Sequence, residues 1–444
     1  MAKLHMLCIC VLFLFHGSTS QDSLSGQGDQ CQFSELKPLR VDPNLSVFSE
    51  AGESAIWNTS DQPLRCLGVV FTQTTIFPHG LRLPSYLDSN EISYVVQGTG
   101  VLEVIVTGCP EIRQRLNAGD FVVLPTGTVN WIYNDGHEHL VFVAYSQKSR
   151  RHLLGGTSRL PNKNLQGYVA NNIFAGFDAN TLEEIYKVNK GIAHKMQGQD
   201  DPRGQIVYVP YPSTILEEQQ SSMNNVCNRS YRIKAEDPVN TIVYNERAGA
   251  LYEANGTIYP ILQQVQLSVR KGVYNSNTML GPYGHANSYS TSYVTRGSCR
   301  FQIVCDSPRP AYDGQLSQGH MVPIPSGCVA IFQAGKDGIE WISFKTNSGS
   351  MMQRFSGRSS VMQALSTGVN AMLGPYTIIN ANSVLYISRD GGCLQIVGAT
   401  RQPVFNGLVR SSEVIAIFRG SAAIIQAGTQ EGLNGSLSRR MAMQ

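Results

Sequence analysis

His137 and His139 are separated by one residue, a spacing at which two imidazoles on a strand share a face and can grip one metal ion. They follow Asn134-Asp135-Gly136, a turn sequence, so an exposed loop is the expected setting. His79 and His285 are isolated, each at most a lone ligand. No GxSxG elbow, phosphate-binding loop or GxGxxG in its proper context occurs, so acyl transfer, nucleotide chemistry and dinucleotide redox chemistry have no handle here. Ten cysteines offer other chemistry. Cys8 and Cys10 fall in an N-terminal apolar stretch, leaving Cys31, Cys66, Cys109, Cys227, Cys299, Cys305, Cys328 and Cys393. None forms a CxxC pair, which argues against a zinc site. Glycan-acceptor sequons stand at Asn44, Asn58, Asn255 and Asn434; a fifth, Asn228, directly follows Cys227, which hinders modification.

The elements around these residues are β-rich. At 444 residues the chain exceeds one ordinary core and suits two or three domains. A net charge of +3 with only 15% charged residues excludes nucleic-acid binding as the main role. The first 20 residues read as a signal peptide: Lys3, an apolar run from Leu7 to Phe15, then Ser18-Thr19-Ser20. No other run is long enough to cross a bilayer, so no membrane is expected as partner. Strand patterns recur over 64–146 at Cys66–Thr72, Glu91–Val96, Val101–Val106, Asp120–Leu124 and Leu140–Ala144, the spacing of an antiparallel sandwich or barrel. Residues 147–170 read as a solvated loop. Over 171–197 the period changes to helical, with Asp178 or Asn180 as cap, Glu183 and Glu184 in the first turn, and Leu182, Ile185, Tyr186 and Val188 on one buried face; Gln199–Gly204 ends the arm. The second half repeats the order: strands from Ile258–Val269 to Glu340–Lys345, then a helical stretch at Ser359–Leu373. A third unit is an internal repeat. MLGPYGHANS at 279–288 returns as MLGPYTIINANS at 372–383, and 312–335 matches the tail at an offset of 93. The match fails after Gly428, so the tail reads as a half barrel without its last strand.

Gly80-Leu81-Arg82-Leu83-Pro84-Ser85-Tyr86 and Gly119-Asp120 through Leu124-Pro125-Thr126-Gly127 resemble the two cupin motifs. Asn172-Ile173-Phe174-Ala175-Gly176-Phe177, Tyr293-Val294-Thr295-Arg296-Gly297, Trp341-Ile342-Ser343-Phe344-Lys345 and Gly357-Arg358-Ser359-Ser360-Val361 follow in the order of a legumin-type (11S) seed storage globulin. The resemblance covers about residues 31–373. It implies an all-β bicupin with short helices: two jelly-roll barrels, at 31–170 and 205–348, each followed by a helical arm, at 171–204 and 349–373; the internal repeat adds a partial cupin repeat at 374–444.

The resemblance also implies two disulfides, Cys31 with Cys66 and Cys109 with Cys227. Cys299, Cys305, Cys328 and Cys393 lie in strand-like segments and are expected as buried thiols. The family's Asn-Gly processing bond is absent: Gln220-Ser221 stands there, with Asn224 and Asn225 nearby. A catalytic cupin holds its metal with histidines and a carboxylate. Here Ser85 and Asn130 replace histidines of the first barrel, Glu91 is the one carboxylate nearby, and Tyr283 and Tyr289 flank His285 in the second. His79 and His285 are then polar side chains at barrel mouths. No catalytic residue, metal or cofactor is expected. The implied function is a nutrient reservoir that self-associates as a trimer or hexamer and travels the secretory pathway to a protein storage vacuole. The alternatives are a germin-like metal-binding oxidase or an apoplastic binding protein, either of them extracellular.

Overall fold

The computed structural model describes residues 33, 35–57, 61–147, 174, 176–198, 201–210, 230–305, 309–355, 386–387, 414–419 and 422–427. Period-2 alternation of Val, Ile, Phe and Tyr builds two jelly rolls from these strands. In the first, β1 (Ser46–Ser49), β2 (Gly52–Ile56), β3 (Val69–Ile76), β10 (Leu140–Gln147), β5 (Glu91–Gln97), β8 (Asp120–Leu124) and β12 (Arg232–Lys234) form one sheet in that order. The facing sheet runs β11 (Ile206–Tyr208), β4 (Gly80–Tyr86), β9 (Val129–Tyr133), β6 (Thr99–Ile105) and β7 (Ile112–Asn117).

The second barrel repeats the plan with fewer breaks. Its sheet runs β13 (Thr241–Asn245), β14 (Gly249–Ala254), β15 (Ser268–Tyr274), β20 (Val329–Lys345), β16 (Met279–His285) and β21 (Met352–Arg354). β17 (Ser290–Val304) pairs β20, β18 (Tyr312–Ser317) and β19 (Met321–Ile324). Here β17 and β20 do the work of two strands each, bending at register shifts near Val294–Arg296 and Gly297–Cys299. Gly297, with φ +76°, has the carbonyl oxygen of Gly338 2.2 Å from where a Cβ would sit, so the bend admits no side chain.

One face of each central sheet turns toward the other barrel. Trp57, Phe71, Phe121, Tyr145, Tyr293 and Phe344 are buried in one cluster that draws on both barrels. Tyr145 stacks on Phe344 with ring centres 5.4 Å apart, Phe71 meets both edge-on, and Trp57 meets Tyr293 at 5.9 Å. Burial without a partner pushes the Tyr145 phenol far up. A second cluster, Leu251, Tyr274, Leu280, Tyr283, Phe301, Phe332 and Trp341 among it, fills the interior of the second barrel.

Five expectations are corrected. The strand expected from Cys66 starts at Val69, because Gln62–Leu67 is a helical turn, α1, with Pro63 in its first turn. The second barrel does not begin at 205: β11 pairs β4 and β12 pairs β8, so both strands complete the first barrel. Cys305 and Cys328 are not thiols but a disulfide, their Cα atoms 4.3 Å apart, since their neighbours Val304 and Val329 are register partners. Cys299 is free and buried, and burial pushes its thiol up to about 12. In the arm, α2 (Ala179–Tyr186) is capped by Asp178 and α3 (Lys190–Gln197) by Asn189. Leu182 is buried, but Ile185 and Tyr186 are exposed, so the apolar stripe is wider than the face the arm covers. Glu183 and Glu184 lie beyond the first turn.

The described strands of the tail pair differently from their counterparts in the second barrel. β22 (Tyr386–Ile387) adds to β16 at Met279 and Leu280. β23 (Val414–Arg419) and β24 (Ala422–Ala427) pair with each other, whereas their counterparts in β19 and β20 each pair with β17. The expected helix at 359–373 lies outside the described residues.

Removing Phe344 opens a cavity between the barrels. Phe344→Ala is expected to cost about 3–5 kcal/mol in urea denaturation, while Met351→Ala at an exposed site stays within about 0.5 kcal/mol. Equal losses would contradict an inter-barrel core centred on Phe344.

Candidate functional site

β4 and β9 bring Ser85 and Asn130 together as cross-strand partners inside the first barrel. Asn130 Nδ2 donates to the Ser85 carbonyl oxygen at 3.5 Å, and Asn130 Oδ1 accepts from Arg82. The Arg82 guanidinium lies over the Phe142 ring, 5.5 Å from its centre. Burial lowers its pKa, and the Glu91 charge acts the other way. Glu91 accepts from Ser93 Oγ at 3.0 Å and Ser146 Oγ at 3.1 Å. A hydroxyl, an amide, one carboxylate and a buried cation make a poor nest for a transition-metal ion, since the cation already occupies the charge role a metal would need.

The second barrel carries the larger buried charge. Alternation puts Trp341, Ser343 and Lys345 of β20 on the inner face and Ile342 and Phe344 on the inter-barrel face. Register then aligns Glu253, Arg270, Ser343 and Ser292 in one row across β14, β15, β20 and β17. Ser268, Lys345 and Ser290 form the next row. Glu253 Oε2 accepts from Arg270 Nε at 2.9 Å, from Arg270 Nη2, and from Lys345 Nζ at 2.5 Å. Asn255 Nδ2 reaches Glu253 Oε1 at 3.4 Å, and Arg270 Nη1 lies 3.0 Å from Met352 Sδ. Across the barrel, β16 presents His285, whose Nδ1 is 3.2 Å from Ser350 Oγ, itself 2.6 Å from Ser288 Oγ.

Burial opposes ionisation of Glu253, but Arg270 and Lys345 outweigh it and hold the carboxyl well below its usual range. Burial, reinforced by Arg270 and only partly offset by Glu253, brings the Lys345 ammonium down to about 7. Burial first, then Lys345 and Arg270, holds His285 well below its ordinary value, so its imidazole is neutral at physiological pH. Among the described residues no group of three or more His, Cys, Asp or Glu side chains is placed to hold a metal ion.

His137 and His139 sit in the exposed turn before β10, His139 stacked on Phe77 at 4.8 Å. His79 occupies a turn with φ +62°, its Nδ1 3.3 Å from the Tyr133 hydroxyl. Tyr283 is buried beside His285, but Tyr289 points outward toward Phe33. Asn44 is exposed in a short 3-10 turn, its Nδ2 bonded to Asp42. Asn255 is half-buried and its Oδ1 accepts from the Thr257 and Ile258 amides. Cys66 and Cys109 are both disulfide-bonded. Cys31, Cys227, Cys393, Asn58, Asn228 and Asn434 lie outside the described residues. Sequence reasoning missed Glu253 and Arg270; the available signal was the single charge Glu253 in the apolar strand β14, whereas Arg270 stands beside Lys271 and does not stand out.

Glu253→Gln leaves two buried cations without their carboxylate and is expected to cost about 3–5 kcal/mol, whereas Lys345→Met keeps the Arg270–Glu253 pair and is neutral or stabilising. Burial holds the Lys345 ammonium down to about 7 in the folded chain, against an ordinary value of 10.5 when unfolded. Between these pH values the unfolded chain binds more protons, so stability rises as pH rises from 7 to 10.5. Denaturation curves across that window should lose this rise in Lys345→Met; a retained rise would contradict the assignment.

A cupin family profile matches residues 39–166 and 233–371, more than half the chain. The 12S seed storage protein CRA1 of Arabidopsis thaliana is 29% identical, over 82% of this chain and 90% of its own length. The 11S globulin subunit beta of Cucurbita maxima is 30% identical, over 75% of this chain and 82% of its own. The crystal structure of pumpkin seed globulin superposes with a TM-score of 0.67 at 30% identity, covering 77% of this chain and 93% of that one. Two cupin barrels in tandem, matched in sequence and structure along nearly their full length by seed globulins, make this chain a member of the 11S globulin family of bicupins.

Proposed function

We propose that the protein is a nutrient reservoir, a seed storage globulin that performs no metal-dependent catalysis. The observation that carries this is the match to seed storage proteins over 82% of the chain. The chemistry is consistent with it: the inward positions of the first barrel carry Ser85 and Asn130, and those of the second carry an internally paired charge cluster. What such a chain offers is mass in a form that packs densely and is released by proteolysis.

Dense packing asks for self-association and crosslinks. Phe177, Ile185, Tyr186 and Ile192 are exposed on the arm, and β13 exposes Tyr244 at a sheet edge. These apolar surfaces support assembly of copies into a trimer or hexamer. Cys31 with Cys66 and Cys109 with Cys227 are the pairings we assign to the two further disulfides, each closing a long loop and stabilising the fold by roughly 3–4 kcal/mol. The apolar N-terminus supports entry to the secretory pathway, with a storage vacuole as destination, and among the described residues no helix is long and apolar enough to cross a membrane.

Quantitative proteomics across seed or spore maturation and germination tests the reading. The protein should rise to a major fraction of storage tissue and fall during mobilisation. A trace-level protein confined to the extracellular space would overturn it. Gel filtration should place the native protein at a trimer or larger, and Ile185→Glu with Tyr186→Glu should shift it toward monomer; a wild-type monomer would refute the assembly.

A further inference from the structure

One carboxylate faces two cations inside the second barrel. The titratable groups of this cluster are Glu253 from β14, Arg270 from β15, His285 from β16 and Lys345 from β20. Among the described residues, Glu253 is the one carboxylate that acts on Lys345 and His285. With Lys345 protonated, the interior therefore holds one positive charge in excess. A buried charge without a counterion is strongly unfavourable.

The surroundings offer donors that Glu253 does not use. Lys345 carries three N–H groups and donates to Glu253 Oε2. Ser290 lies opposite Lys345 in register, and Ser292 lies diagonal to it on the same face. Ser292 is 8% exposed, and its hydroxyl has no hydrogen-bond partner. The indole N–H of Trp341, next along the same inner face, has none either. The corresponding strands of the first barrel pair Ser146 with Glu91, placing a carboxylate there instead, so this arrangement belongs to the second barrel alone.

We propose that the interior of the second barrel binds a small carboxylate, held by the Lys345 ammonium and the Ser292 hydroxyl in the positive field of Arg270. Such a ligand supplies the missing counter-charge and an acceptor for the unpaired hydroxyl. It also favours the protonated form of Lys345, so binding takes up a proton near neutrality. Affinity then weakens as pH rises above 7, approaching tenfold per unit.

Isothermal titration calorimetry on the full-length protein in carboxylate-free buffer tests this, with acetate as probe and acetamide and chloride as controls. Acetate should bind at pH 6.5, at least tenfold more weakly at pH 8.5, with proton uptake read from buffers of different ionisation heat. Acetamide should not bind. Ser292→Ala should weaken binding several-fold, and Lys345→Met at least tenfold. Acetate binding that matches acetamide, or that is unchanged in both variants, overturns the proposal. Chloride giving the same response overturns the carboxylate assignment. Should Lys345→Met fail to fold, Ser292→Ala and the pH dependence in the wild-type protein decide the outcome.

Discussion

Phe344 and Lys345 are neighbours on one strand and point to opposite faces. That alternation governs the molecule. The central sheet of each barrel is buried on both sides, with one face filling its own barrel and the other meeting the second barrel. Phe344 stacks on Tyr145 in the shared aromatic layer, and Lys345 enters the second barrel to meet Glu253. A slip of one residue in β20 would put an ammonium into the aromatic layer and a phenyl ring among the charges. The continuous pairing of β20 with β15, from Ser268 opposite Lys345 to Tyr274 opposite Ile339, prevents this.

The two interiors have diverged on one scaffold. The first pairs an arginine with an asparagine and sets a carboxylate against two serines. The second gathers two cations on one carboxylate beside a neutral histidine. Among the described residues neither brings together the imidazoles and carboxylate that a catalytic cupin uses. Charge sits inside both barrels, and its counter-charges come from the protein itself, incompletely in the second barrel.

Much of this was legible in the sequence. The strands, their turn residues and the two motif pairs fixed the bicupin order, and Asp178 capped its helix as its position implied. The expectations that failed did so where long-range pairing outvotes local pattern. β11 and β12 read as the start of the second barrel because they follow the arm, yet the open edges of β4 and β8 recruit them. Cys305 and Cys328 read as separate buried thiols because only register brings them together. Ile185 and Tyr186 read as a buried face because helical period reports amphipathicity and not which surface is covered. The Glu253–Arg270–Lys345 cluster needs three strands aligned, which no single window displays.

A storage role asks for barrels that pack without a metal. Elemental analysis of the purified native protein is the most direct measurement. The account predicts no stoichiometric manganese, iron, copper or zinc. About one such ion per chain, retained through dialysis against chelator, would contradict it.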